Sequence, residues 1–313
     1  MADTTIDARQ REINDTDDVD RTEVRTYWYL VRRRFVRHRL AVLGEITLVT
    51  LVVLSLVVPF IAGDTLRSNV GRSFDPPEIF NAEGELTLAI MGYARVGYNA
   101  FGQLMAATGT SLMIAFAAVL IIVFIGVLIG SVAGYAGGWV DNVLMRLVDI
   151  ALSMPGLFIV IAFVAFWGAS IWTIVLAIGI TGWTTAARLV RGEFLSLREV
   201  DYVQAARALG ASPRRIILRH MLPPALAPII VAASLGIADS VVLEAALSFL
   251  GFGIAATQAS LGTLLNVAFE SLNREPYLVI FPSLVLVLIV LAANFLGDGL
   301  RDALDPRQRV EQK

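Results

Sequence analysis

The stretch DYVQAARALGASPRRIILRHMLPPALAPII, residues 201–230, is a polar, arginine-rich segment set in an otherwise apolar chain. Its periodicity is helical: Val200, Val203, Ala206 and Leu209 recur on one stripe, and Arg198, Asp201, Gln204 and Arg207 fall largely away from it. A helix is expected over residues 193–209. Gly210 stops it, as glycine does after a last helical turn. Ser212-Pro213 then restarts one, the serine suited to capping and the proline to the first helical position. Ile216, Ile217, Leu218 and Met221 continue it, Pro223-Pro224 ends it, and Pro228 falls early in the next apolar run. Basic amphipathic helices also lie on anionic lipid. The glycine hinge and the paired prolines fit a short docking helix, fixed at both ends, better than a floating one.

The rest of the chain explains what such a helix would be attached to. Of the 313 residues, 57% are hydrophobic, against about 45–50% in soluble domains. Mean hydropathy is +0.71. Lipid is the solvent that accommodates so much apolar surface. Six runs are long enough to cross a bilayer: residues 41–62, 111–135, about 148–167, about 171–187, about 225–249 and about 277–296. The third and fourth are joined by Gly168-Ala169-Ser170, a tight turn between antiparallel helices. The expected fold is therefore an all-α polytopic membrane protein. The absence of cysteine excludes disulfides, thiol catalysis and cysteine metal sites, and His38 and His220 are too few for a histidine metal site. Residues 1–26 are polar and acidic, with no apolar run, and read as a disordered tail rather than a signal peptide.

Arginine distribution sets the orientation. Arg32, Arg33, Arg34, Arg37 and Arg39 crowd against the first run, which places the N-terminus in the cytoplasm. Six crossings return the C-terminus, with Arg301, Arg307, Arg309 and Lys313, to the same side. The loop between the fourth and fifth runs, with Arg188, Arg191, Arg198, Arg207, Arg214, Arg215 and Arg219, is then also inside. Only Arg67, Arg72, Arg95 and Arg274 are left outside. The plan is a tail (1–31), a basic first span (32–63), an outer loop (64–110), a core (111–300, coupling loop 188–224) and an inner tail (301–313). The outer loop holds the turn Asp75-Pro76-Pro77, and residues 98–107 read as a short helix on the outer surface.

Charges within apolar runs are expensive and point to function by default. Glu45 and Asp149 sit near the inner side, and Asp149 is spaced to pair with Arg146. Asp239 and Glu244 lie deeper, in a run with Gly236 and other small residues, and are candidates to line a path through the membrane. Pro155 and Pro282 are expected kinks. Asp298 and Arg301 are spaced to pair, Asp305-Pro306 ends the last run, and His220 suits a helix C-terminal cap.

Four segments carry a resemblance. They are GYAGGWVDNVLMRLVDIALSMPGL (134–157), ARLVRGEFLSLREVDYVQAARALGAS (187–212), LEAALSFLGFG (243–253) and NFLGDGLRDALDPR (294–307). With Gln204-Ala205-Ala206, Gly210 and Leu222-Pro223 they resemble the dipeptide/oligopeptide/nickel permeases of ATP-binding-cassette importers, and more closely their second, C-type subunit. The resemblance covers about residues 32–307. It implies a type I importer permease fold with six transmembrane helices and a cytoplasmic coupling helix. It assigns Tyr202, Gln204, Ala205, Ala206, Arg207 and Gly210 to contact with a separate ATPase. It also implies a homologous second permease, two ATPases, an extracytoplasmic solute-binding protein and the plasma membrane of a prokaryote. No enzyme activity and no cofactor are expected in this chain, ATP and magnesium being held by the partners, and no nucleic acid is involved. Two departures stand out. Gln204 replaces the family's leading glutamate, and the entry segment Gly97-Tyr98-Asn99-Ala100-Phe101-Gly102-Gln103 keeps little of the family pattern.

Peptides are the expected cargo, with nickel and sugars as alternatives within the same architecture. A membrane-embedded hydrolase would need facing catalytic groups, for which only Asp149 and Asp239 are available. A secondary transporter would show repeats and discontinuous helices, and neither is evident.

Overall fold

The computed structural model describes residues 27–61, 78–80, 86–93, 97–254, 258–273 and 275–304. The acidic tail, Asp75-Pro76-Pro77, Arg67, Arg72, Arg95, Arg274, Asp305-Pro306, Arg307, Arg309 and Lys313 lie outside the described residues. The helices are α1 (Tyr27–Arg37), α2 (Arg39–Ile61), α3 (Ala100–Ala136), α4 (Gly138–Ser153), α5 (Gly156–Trp167), α6 (Ile171–Arg198), α7 (Asp201–Ala208), α8 (Pro213–Phe252), α9 (Leu261–Phe269) and α10 (Tyr277–Leu304). A small antiparallel hairpin, β1 (Glu78–Phe80) with β2 (Leu86–Ala89), precedes α3.

Among the described residues, five helices are long and apolar enough to cross a membrane: α2, α3, α6, α8 and α10. The expected third crossing is α4 and α5, bent by 82°. Pro155 does more than kink it. Proline disfavours a helical conformation in the residue before it, and Met154 is extended, with φ −96° and ψ 131°. At 12 residues, α5 is about 18 Å long, well short of the about 30 Å hydrocarbon core. Among the described residues the crossing count is therefore five, or six with the broken pair taken as one.

The second crossing begins earlier than expected. Residues 98–107 form no separate surface helix; α3 runs unbroken from Ala100 for 37 residues, about 55 Å. Asn99 sets its start, its side-chain oxygen accepting from the Gly102 N–H at 3.0 Å. The continuation of α8 is the other surprise. Pro223-Pro224 does not end a helix, because a π-helical segment, Ile216–Met221, leads into them. The Leu222 N–H reaches back to the Ile217 carbonyl, and the two prolines occupy positions where no N–H is demanded.

Lipid tails are as apolar as leucine, so close backbone approach, rather than the hydrophobic effect, holds such helices together. The α3–α6 contact shows this most plainly. Gly126, Gly130 and Gly134 lie one turn apart on α3. A Cβ on Gly130 would stand 2.5 Å from the Ala187 carbonyl, and one on Gly134 would stand 2.5 Å from the Phe194 Cβ. The α2–α10 contact uses the same device, Gly44 lying against the Ala292 carbonyl and Gly299 against Ala41.

Polar groups inside the bundle are satisfied locally. Glu244 on α8 is fully buried, accepting from the Ser111 hydroxyl of α3 and from the Ser248 hydroxyl, both at 2.7 Å. The Leu261 N–H at the start of α9 donates to the same Ser111 oxygen at 3.1 Å. Gly262 packs α9 against the Ala245 carbonyl. One carboxyl group thus ties three helices together, with both of its oxygens occupied. The α3–α6 approach carries a prediction. Gly130→Leu should cost about 1–3 kcal/mol or more through overpacking, read as earlier thermal unfolding of the detergent-purified protein. Gly156→Ala, with nothing within 4 Å of the added carbon, should leave the transition where it is.

Candidate functional site

Residues 193–209, expected as a single helix, are divided between the end of α6 and α7. The backbone breaks at Glu199-Val200, where Val200 turns extended (φ −78°, ψ 139°) before α7 begins. Asp201 occupies the first turn, where the helix dipole favours an acid. Val203 is the only side chain of α7 that is fully buried, in a cluster with Val190 and Phe194 of α6 and Ile216, Met221, Ala225 and Ile229 of α8.

Three polar contacts complete the attachment. Proline at 224 cannot donate to the carbonyl one helical turn back, that of His220. The Tyr202 hydroxyl donates to this carbonyl instead, at 3.3 Å. His220 is accordingly an interior residue of α8 rather than a C-terminal cap. The Gln204 side-chain amide donates to the Glu199 carbonyl at the end of α6, at 3.2 Å. An ionised glutamate has no proton to give there. The Arg207 guanidinium lies 5.4 Å from the centroid of the Tyr135 ring, at the end of α3. Each contact goes to a different helix.

The far end of α7 closes with a full left-handed cap. Gly210 has φ +78°, its N–H donates to the Arg207 carbonyl, and the Ala211 N–H donates to the Ala206 carbonyl. Pro213 follows at a first helical position, and the Ser212 side chain makes no capping bond. The remaining face is open. Ala205 and Ala208 are exposed, Tyr202 is 45% exposed and Leu209 is 88% exposed. Leu209, read from the sequence as part of the packed stripe, points outward: it lies just past Ala208, the last helical residue, and steps of three residues drift about 60° each around a helix of 3.6 residues per turn.

The neighbouring charges pair across helices. Asp141 of α4 takes a two-pronged bond from Arg191 of α6, at 2.5 and 2.7 Å. Asp149 pairs with Arg188 at 2.6 Å rather than with Arg146, and both partners are half exposed. Asp298 and Arg301 form no ion pair; Asp302 instead lies 3.6 Å from His38, whose other ring nitrogen caps α2 by accepting from the Ala41 N–H. Glu45 is exposed on α2. None of these partners could be read from spacing along one helix, because each lies on another element.

A cavity of about 480 Å³ opens between α3, α6 and α8. Its walls are mostly apolar, with Thr181, Thr185 and Ser240 adding hydroxyls and Asp239 the one charge. Asp239 is exposed, whereas Glu244 one turn on is sealed in its serine bonds. Of the two acids expected along a path, one faces a cavity and the other faces packing. Asp149 does not line this cavity, so the two aspartates of the hydrolase alternative are not brought together.

Residues 126–310 match the family described as "Binding-protein-dependent transport system inner membrane component". Residues 26–77 match "N-terminal TM domain of oligopeptide transport permease C". The chain is 37% identical to the glutathione transport system permease protein of Pectobacterium atrosepticum, over 91% of this chain and 92% of that one. It is 36% identical to the oligopeptide transport system permease protein of Haemophilus influenzae, over 92% and 91%. To the dipeptide transport system permease protein of Alkalihalophilus pseudofirmus it is 34% identical, over 90% of each. Among solved structures, the inward-facing MetNI methionine ABC transporter aligns at a TM-score of 0.55 and 19% identity, covering 65% of this chain and 96% of that one. That likeness is one of fold.

Tyr202→Phe removes only the hydroxyl that serves the His220 carbonyl. It should loosen α7 by about 0.5–1.5 kcal/mol, detected as faster amide hydrogen exchange over residues 201–208 with α8 unchanged. Equal exchange in the two proteins would show that the Tyr202 hydroxyl does not help to hold the helix.

Proposed function

We propose a peptide-importing role for this chain, which belongs to the family of binding-protein-dependent transport system inner membrane components. It is a permease subunit of an ATP-binding-cassette importer, and ATP hydrolysis resides on separate subunits. The cargo follows from its relatives. Those named for glutathione, oligopeptides and dipeptides all carry short peptides, and each aligns along about nine-tenths of this chain. Importers of this kind pair permeases with ATPases and a solute-binding protein. The specific assembly we propose is one homologous permease, two ATPases and one binding protein, with both termini of this chain in the cytoplasm. Peptide delivered by the binding protein on the outer side passes between the two permeases.

The observation that carries the reading is α7: a short helix held by one face and open on the other. Ala205, Ala208 and Leu209 present small and apolar surface for a cleft on the ATPase, and the alanines allow the close backbone approach that helix-in-groove docking needs. Ala206, half-buried, sits at the edge of this face, while Tyr202, Gln204 and Arg207 fasten the helix to its own bundle. On this reading, the family's glutamate is dispensable here because Gln204 works inward, as a cap on α6. ATP favours the closed ATPase pair, and a change in the ATPase shifts the permease only through their differential contact. The docked helix is that contact, and α3, α6 and α8 receive its movement.

Two variants test this. The complex purified in mild detergent should retain its ATPases, and Ala206→Arg should release them. Gly210→Leu adds no clash, since nothing lies within 4 Å of the new carbon, but it forces a left-handed residue to carry a side chain. That costs about 1–2 kcal/mol and should abolish uptake while leaving membrane insertion intact. Normal uptake by Gly210→Leu, or ATPases retained by Ala206→Arg, would count against α7 as the docking element.

A further inference from the structure

We propose that Asp239 is a subsite for the ammonium group of the passing substrate, an inference that rests on the peptide-import reading above. Asp239 lies well inside α8, 26 residues from Pro213 and 13 from Phe252 (239 − 213 and 252 − 239). At that depth it is nonetheless exposed, and it makes no hydrogen bond or ion pair with any described residue. Hydrocarbon does not tolerate an unpaired carboxylate. The face of α8 that carries Asp239 is therefore turned to water or to another polar surface in the assembled transporter.

The cavity beside it supports the first of these. Its about 480 Å³ falls in the about 300–1,000 Å³ range of clefts that hold small molecules. The wall is built for weak, unspecific passage: Val119, Val123 and Ile229 offer apolar surface, and Thr181 and Thr185 add hydroxyls. The Thr181 hydroxyl donates within its own helix, to the Ala177 carbonyl, so toward a ligand it can serve only as an acceptor. One anionic group among neutral acceptors selects for a cation that can donate several hydrogen bonds. An ammonium group does so, with three donors on a compact charge. The free amino terminus, with a pKa of about 7.7–8.0, is the cation common to peptides whatever their side chains. A single carboxylate at this point recognises that shared feature and leaves sequence unread. Glu244 cannot serve in this way, since both of its oxygens are already taken by serine hydroxyls.

The test uses the complete transporter, with its partner permease, ATPases and binding protein, in proteoliposomes. Uptake of a peptide with a free amino terminus is compared with uptake of the same peptide N-acetylated, for wild type, Asp239→Asn and Asp239→Glu. Discrimination by the binding protein is common to all three and cancels in the ratio. The ratio of free to acetylated uptake should fall about tenfold in Asp239→Asn, as expected for loss of one charge-assisted hydrogen bond, and recover in part in Asp239→Glu. An unchanged ratio in Asp239→Asn overturns the assignment and leaves peptide import standing. Equal loss of both peptides, with the permease pair separating on purification, also overturns it and gives Asp239 to the partner interface. Wild-type vesicles that take up neither peptide overturn the import reading and this assignment together.

Discussion

Close approach of α3 and α6 is the constraint on which the rest depends. Inside lipid, two helices gain little by hiding leucines from solvent, so they must gain by touching backbone to backbone. Gly126, Gly130 and Gly134 provide that surface, and Ala186, Ala187, Val190 and Phe194 fill it. The register this imposes brings Arg191 of α6 to Asp141 of α4 and Arg188 to Asp149. It also sets the ends of the two helices side by side, so that Tyr135 of α3 and the Glu199 carbonyl of α6 are both within reach of α7. A short helix of 8 residues is far below the length that is stable alone. It persists because three neighbours have been fixed beforehand.

Proline shapes the other side of the same site. At Pro155 it breaks a crossing into two pieces, whereas at Pro223-Pro224 it is absorbed by the π-helical segment ahead of it. The difference lies in the residue before. Met154 goes extended, but the chain from Ile216 to Leu222 stays helical by reaching one residue further back. The carbonyl freed by Pro224 then becomes an attachment point, and Tyr202 uses it. A defect in one helix is the means by which another is held.

Much of this was legible in the sequence. The apolar runs marked the crossings, the arginine-rich loop marked the exposed helix, and Gly210 and Pro213 marked its end and the next beginning. What escaped was set by contacts between elements. The pairing of Asp149 with Arg188 joins residues on different helices, and so does the pairing of Asp141 with Arg191, whereas periodicity speaks only of neighbours on one. The helix at residues 98–107 was legible, but not its fusion with the crossing that follows, because the segment is only mildly apolar. Leu209 departs from the stripe of Val200, Val203 and Ala206 for a geometric reason, since steps of three residues drift about 60° each around the helix and the helix ends at Ala208. Asp239 and Glu244, alike on paper, were separated by two serines, one of them on a distant helix.

The length of α3 has a consequence for how such a protein can change over time. Tyr135 at one end touches Arg207, and Ser111, 24 residues earlier (135 − 111), holds the knot of Glu244 and α9. That separation is about 36 Å of continuous helix. A stiff strut carries displacement along its axis without a relay of side chains between its ends. The residues that face the cavity part-way along, Val119 among them, lie between those two ends. On the docking and passage readings proposed above, substitution in the middle of the strut alters the cargo wall while its two ends keep their contacts, so one engine can be refitted to many loads.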